Sequence, residues 1–401
     1  MLFSFGSNQN GQLGNGNLED SSLPQRVFFK EKVKSISLGS NHTILLSSTG
    51  SVWSCGLNDF GQIGFNEDVS QSLVLKEAEL VKGHSFLKAS CGWNHTLLMD
   101  SEGSLFSLGN NEFGQLGINK SELKNFSYGA FKLFRVDITK KVTFISSGYR
   151  SNVALTEDGE VFVWGQNKHG ELGKLIDNEL EGIKDVNKKL WPGKKGMKNT
   201  ASVIYKPKII AFPEPIIQVE IGQYHTLALS QSGRVYMQGK NNKGQLSINP
   251  LEVKSCELPF ELKLKGISVS SITAGWSTSG ALSTEGKVYF WGRNDLGQLG
   301  TIRNTVDCWQ PHEIPFKNNI IMVSTCSEYS LALDSKLNIF AWGKGWNEHG
   351  NLGTGNLNNA LQPVRICLNS SEENSKKVID RVVLCSGYGH TFLSVDYINS
   401  E

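Results

Sequence analysis

Short apolar runs recur along the whole chain, and none has the length or the period of a long helix. In a representative stretch, the runs Ile44-Leu45-Leu46 and Val52-Trp53 flank a polar turn that contains Gly50, and Val33–Leu38 lies just before them. Two apolar segments around a glycine-containing polar turn are typical of a β-hairpin. The pattern therefore predicts an all-β protein with about four short strands in each unit of about 55 residues.

A nine-residue turn motif closes each unit. It reads Gly-x-Asn-x-x-Gly-Gln-Leu-Gly and begins at Gly6, Gly56, Gly109, Gly165, Gly239, Gly292 and Gly345. Its final glycine is replaced once, by Ser247. Glycine supplies positive φ at tight corners and asparagine bonds nearby backbone, so the motif predicts a structural turn. A phosphate-binding loop is not predicted, because lysine never follows the second glycine.

A second motif, Gly-x-x-His-Thr-x-x-Leu, occurs in four clear and three degenerate copies. The copies start at Gly39, Gly92, Gly148, Gly222, Gly275, Cys326 and Gly387. Seven such units of four strands predict a seven-bladed β-propeller that forms a single domain over residues 1–401. Equivalent histidines in different blades lie too far apart to share one metal or one proton relay. We therefore expect them to bond between neighbouring blades, and we expect no catalytic set, metal or cofactor.

The order of the two motifs predicts how the ring closes. The first turn motif precedes every Gly-x-x-His unit, and no turn motif follows the last unit at Gly387. Seven complete blades form only if the N-terminal strand, Leu2 to Phe5, joins the strands around residues 391–395. Such pairing would also cover two sheet edges that would otherwise be exposed.

Composition narrows the classes of function. Glycine accounts for 42 of 401 residues, hydrophobic residues are 39 % and the formal net charge is +2. This composition supports a large core and does not predict tight non-specific DNA binding. The seven cysteines are scattered without a Cys-x-x-Cys pair, which favours a reducing cytoplasmic or nuclear setting. No apolar run has the length of a secretory signal or a membrane helix.

One interval between turn motifs is longer than the others. Successive motifs are 50 to 56 residues apart, except for the 74 residues from Gly165 to Gly239, which contain a lysine-rich insertion placed within residues 174–212. This insertion is either a solvated loop or a docking loop for an acidic protein or RNA surface. The docking interpretation assigns partner contacts to Lys188, Lys189, Trp191, Lys194 and Lys195.

Together the two motifs resemble the regulator of chromosome condensation repeat family over nearly the whole chain. The resemblance implies a seven-bladed propeller and allows nucleotide exchange on a small GTPase, chromatin docking, light sensing or scaffolding. In the Ran exchange factor of this family the Gly-x-x-His loops carry acidic residues, whereas here only Glu328 is acidic. Light-sensing relatives combine tryptophans with arginines, but Trp93 and Trp276 largely lack the neighbouring arginine. Exchange on a different GTPase stays open.

The last turn motif resembles the signature of one subfamily, Trp-Gly-Trp-x-Glu-His-Gly-Asn, with two extra residues after Trp342-Gly343. That group contains the yeast α-tubulin suppressor protein and a secretion-regulating exchange factor. The resemblance implies a non-catalytic accessory protein that pairs with a small CSL-type zinc protein and Elongator, in tRNA wobble-uridine modification and diphthamide synthesis. Candidate partner contacts are Trp342, Trp346, Glu348 and His349, unless they pack inside the closing blade. The alternatives are a guanine nucleotide exchange factor and a scaffold linked to microtubules.

Overall fold

Seven four-stranded antiparallel sheets form the blades of a β-propeller around a central channel. The computed structural model describes residues 1–123, 129–175, 202–264, 266–302, 307–344, 349–368 and 377–399. Blades 1 to 3 contain β3 Val33–Leu38, β4 His42–Ser47, β5 Val52–Leu57, β6 Gln71–Glu77; β7 Phe86–Cys91, β8 His95–Asp100, β9 Leu105–Asn110, β10 Gly129–Arg135; β11 Val142–Ser147, β12 Ser151–Thr156, β13 Val161–Gln166 and β14 Val203–Ile210.

The remaining strands complete the ring. Blades 4 to 7 contain β15 Ile216–Ile221, β16 His225–Ser230, β17 Val235–Lys240, β18 Ser255–Glu261; β19 Val269–Ala274, β20 Thr278–Ser283, β21 Val288–Arg293, β22 Asp307–Ile314; β23 Ile320–Thr325, β24 Tyr329–Asp334, β25 Ile339–Gly343, β26 Ala360–Arg365; β27 Lys377–Ser386, β28 His390–Asn399, β1 Leu2–Gly6 and β2 Ser21–Val27. Two short 3-10 helices, Glu79–Val81 and Lys120–Leu123, are the helical elements of the described residues. The predicted all-β propeller is confirmed.

The predicted closure is also confirmed. Strand β1 lies between β28 and β2 in the seventh blade, with Leu2 opposite Ser394 and Gly6 opposite His390. The side chain of Phe5 on this strand is completely buried. The first strand of the chain is therefore an interior strand of the last blade.

Both motifs lie at the same end of the propeller. In each blade the inner strand leads through a Gly-x-x-His loop into the second strand. In blades 1 to 6 a hairpin at the opposite end leads to the third strand, whereas in blade 7 the third strand is β1, from the other end of the chain. The turn motif then joins the third strand to the outer one. This end of the propeller, which carries the Gly-x-x-His loops and the turn motifs, is the loop face. Within the range 174–212 assigned to the insertion, strand β14 (Val203–Ile210) is the outer strand of blade 3, and the lysine-rich part lies outside the described residues.

The turn motifs fasten neighbouring blades to each other. Within a motif, the asparagine side chain accepts a hydrogen bond from the leucine backbone five residues later, as from Leu13 to Asn8 at 2.9 Å. The glutamine carbonyl of the motif accepts from a buried tryptophan of the next blade. These pairs are Trp164 with Gln115, Trp291 with Gln245, and Trp342 with Gln298, at 2.9, 2.9 and 3.1 Å. The structural interpretation of the motif thus has a direct physical basis.

The last motif begins two residues earlier than the sequence pattern suggests. Gly343 has φ +108°, and a Cβ atom there would lie 2.5 Å from the carbonyl oxygen of Glu328. The first glycines of the other motifs share this geometry, as at Gly6, where a Cβ would lie 2.5 Å from the oxygen of Gly389. Gly343, and not Gly345, is therefore the equivalent glycine, and the two extra residues follow it.

Ser247 provides a stability prediction. It adopts φ +56°, a left-handed conformation that the equivalent glycines, such as Gly64 at φ +77°, adopt without strain. This conformation costs a non-glycine residue about 1–2 kcal/mol. The larger conformational entropy of glycine in the unfolded chain offsets part of that difference. We expect Ser247→Gly to raise the free energy of unfolding by about 0.5–1 kcal/mol in urea titrations. The reverse control, Gly64→Ser, should lower it; a destabilised Ser247→Gly protein would contradict the argument.

Candidate functional site

The buried histidines of the second motif connect adjacent blades. Each Nε2 atom lies within hydrogen-bonding distance of a polar side chain on the next blade: His42 with Thr96 at 3.1 Å, His95 with Asn152 at 2.7 Å, His225 with Ser279 at 2.9 Å and His390 with Thr43 at 3.0 Å. Burial lowers the pKa to about 4 for His95 and His225, and to about 3 for His42 and His390. These rings are neutral at pH 7, and the predicted inter-blade role is confirmed.

Serines of the inner strands form a second set of links around the channel. The Oγ atom of Ser37 accepts from the backbone N–H of Cys91 at 2.9 Å, and Ser90 does the same for Ser147. Glu220 occupies the corresponding place in blade 4, where it accepts from Ser146 at 2.8 Å. The cavity of about 150 Å³ within the channel is therefore lined by groups that already hold the blades together.

An aromatic cluster covers the centre of the loop face. Its members come from the positions between glycine and histidine: Trp93, Tyr149, Tyr224, Trp276 and Tyr388. The Trp93 ring centroid lies 4.9 Å from that of Tyr149, 5.1 Å from that of Tyr388 and 6.4 Å from that of Trp276. Tyr388 is buried and the other four rings are partly exposed. The cluster presents a contiguous aromatic surface at the mouth of the channel.

Carboxylates neutralise the basic side chains on one half of this face. In blades 5 and 6, Glu328 forms ion pairs with Arg293 and with Lys344, the latter at 3.0 Å. Arg293 also contacts Asp295 at 2.6 Å. Glu328 is only 4 % exposed, so the single acidic residue of the Gly-x-x-His loops is engaged by its own chain.

Aromatic rings take the place of carboxylates on the other half. The Arg150 guanidinium lies 4.1 Å from the ring centroid of Phe113 and 4.7 Å from that of Tyr149, and Lys240 Nζ lies 4.8 Å from that of Tyr224. The His169 ring also contacts Tyr224. Arg150, Lys168 and Lys240 form no ion pair with any residue that the structure describes. The basic sector consists of Arg150, Lys168, His169 and Lys240, with Tyr149 and Tyr224.

The structure describes two of the residues predicted to contact a partner. Trp342 is completely buried between blades and donates to Gln298, which corrects its predicted role because its indole has no surface to offer a partner. His349 is 16 % exposed and pairs with Asp20, which ties the sixth blade to the seventh. Its partner contact stays a prediction. The other predicted contacts lie outside the described residues: Trp346, Glu348, Lys188, Lys189, Trp191, Lys194 and Lys195.

The aromatic cluster is a site that the sequence pattern did not predict. Its signal was visible once the loops were aligned, because five of the seven carry a tryptophan or tyrosine one or two positions after the glycine. The sequence of the loops does not reveal that these positions converge across the channel.

Among the described residues, no group of three His, Cys, Asp or Glu side chains is placed to hold a metal ion, and no helix is long and apolar enough to cross a membrane.

Comparison with known proteins agrees with the geometry. The sequence profile of the RCC1-like domain matches residues 1–393. The ultraviolet-B receptor UVR8 of Arabidopsis thaliana is 31 % identical over 365 residues, covering 88 % of this chain and 75 % of that protein. The secretion-regulating guanine nucleotide exchange factor of Bos taurus is 28 % identical over 387 residues, covering 88 % and 76 %.

Solved structures share the fold. The crystal structure of human WBSCR16 superposes with a TM-score of 0.80 at 24 % identity, covering 98 % of this chain and 99 % of that one. The named relatives include a photoreceptor and an exchange factor, so the fold by itself does not define the activity. With the profile match across residues 1–393 and the complete seven-bladed ring, this chain belongs to the family of RCC1-like domain proteins.

Proposed function

We propose that this protein is an interaction platform that binds a partner protein on its loop face and carries out no covalent chemistry itself. The aromatic cluster around Trp93 is the observation that carries this proposal. Tryptophan, tyrosine and arginine dominate the energetic centres of protein interfaces, and all three are present together at the middle of this face. A stable interface needs about 800 Å² on each side, which the end of a propeller can provide.

A small GTPase whose nucleotide release is accelerated is the first candidate partner. Its support is the family of this chain and the name of its relative, a secretion-regulating guanine nucleotide exchange factor. Because Glu328 is already paired with Arg293 and Lys344, contacts to the GTPase would use the aromatic cluster and the basic sector rather than free carboxylates.

The second candidate is the accessory role with a CSL-type zinc protein and Elongator, in wobble-uridine modification and diphthamide synthesis. Its support is the resemblance of the segment from Trp342 to Asn351 to the subfamily signature. Strand β25 ends at Gly343 on the loop face, so this segment begins beside the Gly-x-x-His loop that contains Glu328. Such a protein would act in the cytoplasm, the nucleus or both.

Substituting Trp93 tests the docking proposal. We expect Trp93→Ala to weaken partner binding by tenfold or more, because truncation of a central aromatic residue typically costs about 2 kcal/mol or more. The control is Phe28→Ala, which removes an aromatic ring that is 81 % exposed just after strand β2, at the end of the blade opposite to the loop face. Both tagged proteins would be purified from cells and their partners quantified by mass spectrometry. Equal partner recovery with the two variants would argue against docking on the loop face.

Two further measurements separate the candidate partners. The release of fluorescent GDP from purified small GTPases, with and without this protein, tests exchange. Wobble-uridine modification and diphthamide content in cells that lack the protein test the accessory role. Re-expression of the Trp93→Ala variant should fail to restore whichever activity depends on the loop face, whereas Phe28→Ala should restore it.

A further inference from the structure

We propose that the basic sector binds an acidic, carboxylate-rich segment of the partner protein. The inference deepens the proposed function and depends on it, because it assigns a chemistry to one part of the docking face. It assigns this role to blades 3 and 4, where Arg150 lies over Tyr149, Lys240 lies over Tyr224, and Lys168 is close to His169. Within the described residues, the opposite half of the loop face does not combine aromatic rings with basic side chains that lack an ion pair.

The first argument is the absence of an internal counter-charge. Arg293 and Lys344, on the opposite half of the face, are satisfied by Glu328 and Asp295. Arg150, Lys168 and Lys240 have no carboxylate within 4.0 Å in the described parts of the chain. An incoming carboxylate would therefore gain its full attraction without first displacing an existing ion pair.

The second argument is mutual repulsion within the sector. The pKa of His169 is lowered first by burial and then by the positive charges of Lys240 and Lys168. Glu171 is a buried carboxylate near the sector. Burial raises its pKa to about 7, although backbone hydrogen bonds and the charge of Lys240 favour its ionised form. Because burial disfavours the charged form of Glu171, it offsets the positive potential of the sector only in part, and a negatively charged segment would relieve the rest.

The third argument concerns which anion fits. Tyr149 is approached by the Arg150 guanidinium, by Trp93 at 4.9 Å and by Tyr224 at 6.3 Å. Tyr224 is approached by Lys240 and by the His169 ring at 4.6 Å. Because a cation already lies over each of these two rings, a nucleobase has less free ring surface on which to stack. The aromatic rings instead hold the cations in place for carboxylates, which favours an acidic peptide over RNA.

Charge reversal tests the inference in the full-length protein. The test variant combines Arg150→Glu with Lys240→Glu, and the control combines Lys76→Glu with Lys208→Glu, two exposed lysines on outer strands with the same change in charge. The probe is a fluorescent peptide of alternating glutamate and glycine, compared with its glutamine counterpart and with a single-stranded RNA oligonucleotide. We expect the glutamate peptide to bind, and the test variant to weaken it by about tenfold or more while the control stays near wild type.

Salt and a neutral variant sharpen the result. Raising the ionic strength from about 0.05 to about 0.2 M should weaken peptide binding to the wild type and have much less effect on the test variant. The neutral double variant Arg150→Gln with Lys240→Gln should also weaken binding of the glutamate peptide. Because it introduces no negative charge, its loss of binding cannot come from a folding defect caused by reversed charge. Circular dichroism melting would confirm that each variant is folded.

Three outcomes would overturn the inference. They are unchanged peptide binding by the test variant, tighter sector-dependent binding of RNA than of peptide, and a wild-type protein that is dimeric in analytical ultracentrifugation while the test variant is monomeric.

The proposed function is judged separately. Partner recovery lost in Trp93→Ala but kept in the charge-reversal variant rejects the acidic segment alone, whereas recovery kept in both variants rejects docking on the loop face.

Discussion

Removal of residues 1–6 is expected to abolish the stable fold. These residues include strand β1, which lies between β28 and β2, so its loss would leave β2 without its neighbour and the seventh blade open. The deletion also removes the completely buried Phe5 and the nearly buried Phe3 from the core shared by blades 5 to 7. Loss of one such aromatic side chain alone typically costs about 3–5 kcal/mol.

A point variant makes this prediction quantitative. We expect Phe5→Ala to lower the free energy of unfolding by about 3–5 kcal/mol in urea titrations. Phe28→Ala is the matched control, because Phe28 is 81 % exposed and its loss should change stability by less than about 0.5 kcal/mol. An unchanged melting temperature after deletion of residues 1–6 would show that the ring does not depend on its closing strand.

Much of this architecture could be predicted because each blade repeats the same local chemistry. The turn glycines must adopt positive φ, as Gly343 shows, and the histidines must find a partner on the next blade, as His95 does with Asn152. These are short-range requirements, and they leave a periodic signal in the sequence. Seven repeats of that signal determine both the number of blades and the place where the ring closes.

The candidate site was harder to predict because it arises between repeats. Trp93 and Tyr388 contact each other at 5.1 Å although almost 300 residues separate them, and neither local pattern nor spacing predicts that contact. Trp342 was predicted to contact a partner because it belongs to the subfamily signature. The register of the third strand instead places it in the same buried site as Trp164 and Trp291.

Acidification is expected to destabilise the propeller through its buried histidines. In the folded protein, burial lowers the pKa to about 4 for His95 and His225 and to about 3 for His42 and His390, against an ordinary value of 6.5. Below pH 6.5 the unfolded chain therefore takes up protons that the folded protein excludes. The stability conferred by the neutral rings is present above pH 6.5 and is lost as the pH falls toward 4, by up to about 1.4 kcal/mol per pH unit for each histidine.

Two buried carboxylates oppose this loss over part of the same range. Burial raises the pKa of Glu171 and Glu220 to about 7 from 4.5, so the folded protein takes up their protons first and gains stability as the pH falls from 7 to 4.5. The net decline should therefore be shallower between pH 6.5 and 4.5 and steeper just below 4.5, where Glu171 and Glu220 no longer offset the histidines. Unfolding titrations across this range would measure the slope.

Glu220→Gln removes one opposing group and should steepen the decline above pH 4.5 by up to about 1.4 kcal/mol per pH unit, whereas His225→Asn should make it shallower by a similar amount. A slope that neither variant changes would mean that other groups govern the acid response, and it would remove the pKa argument for a neutral histidine link between blades.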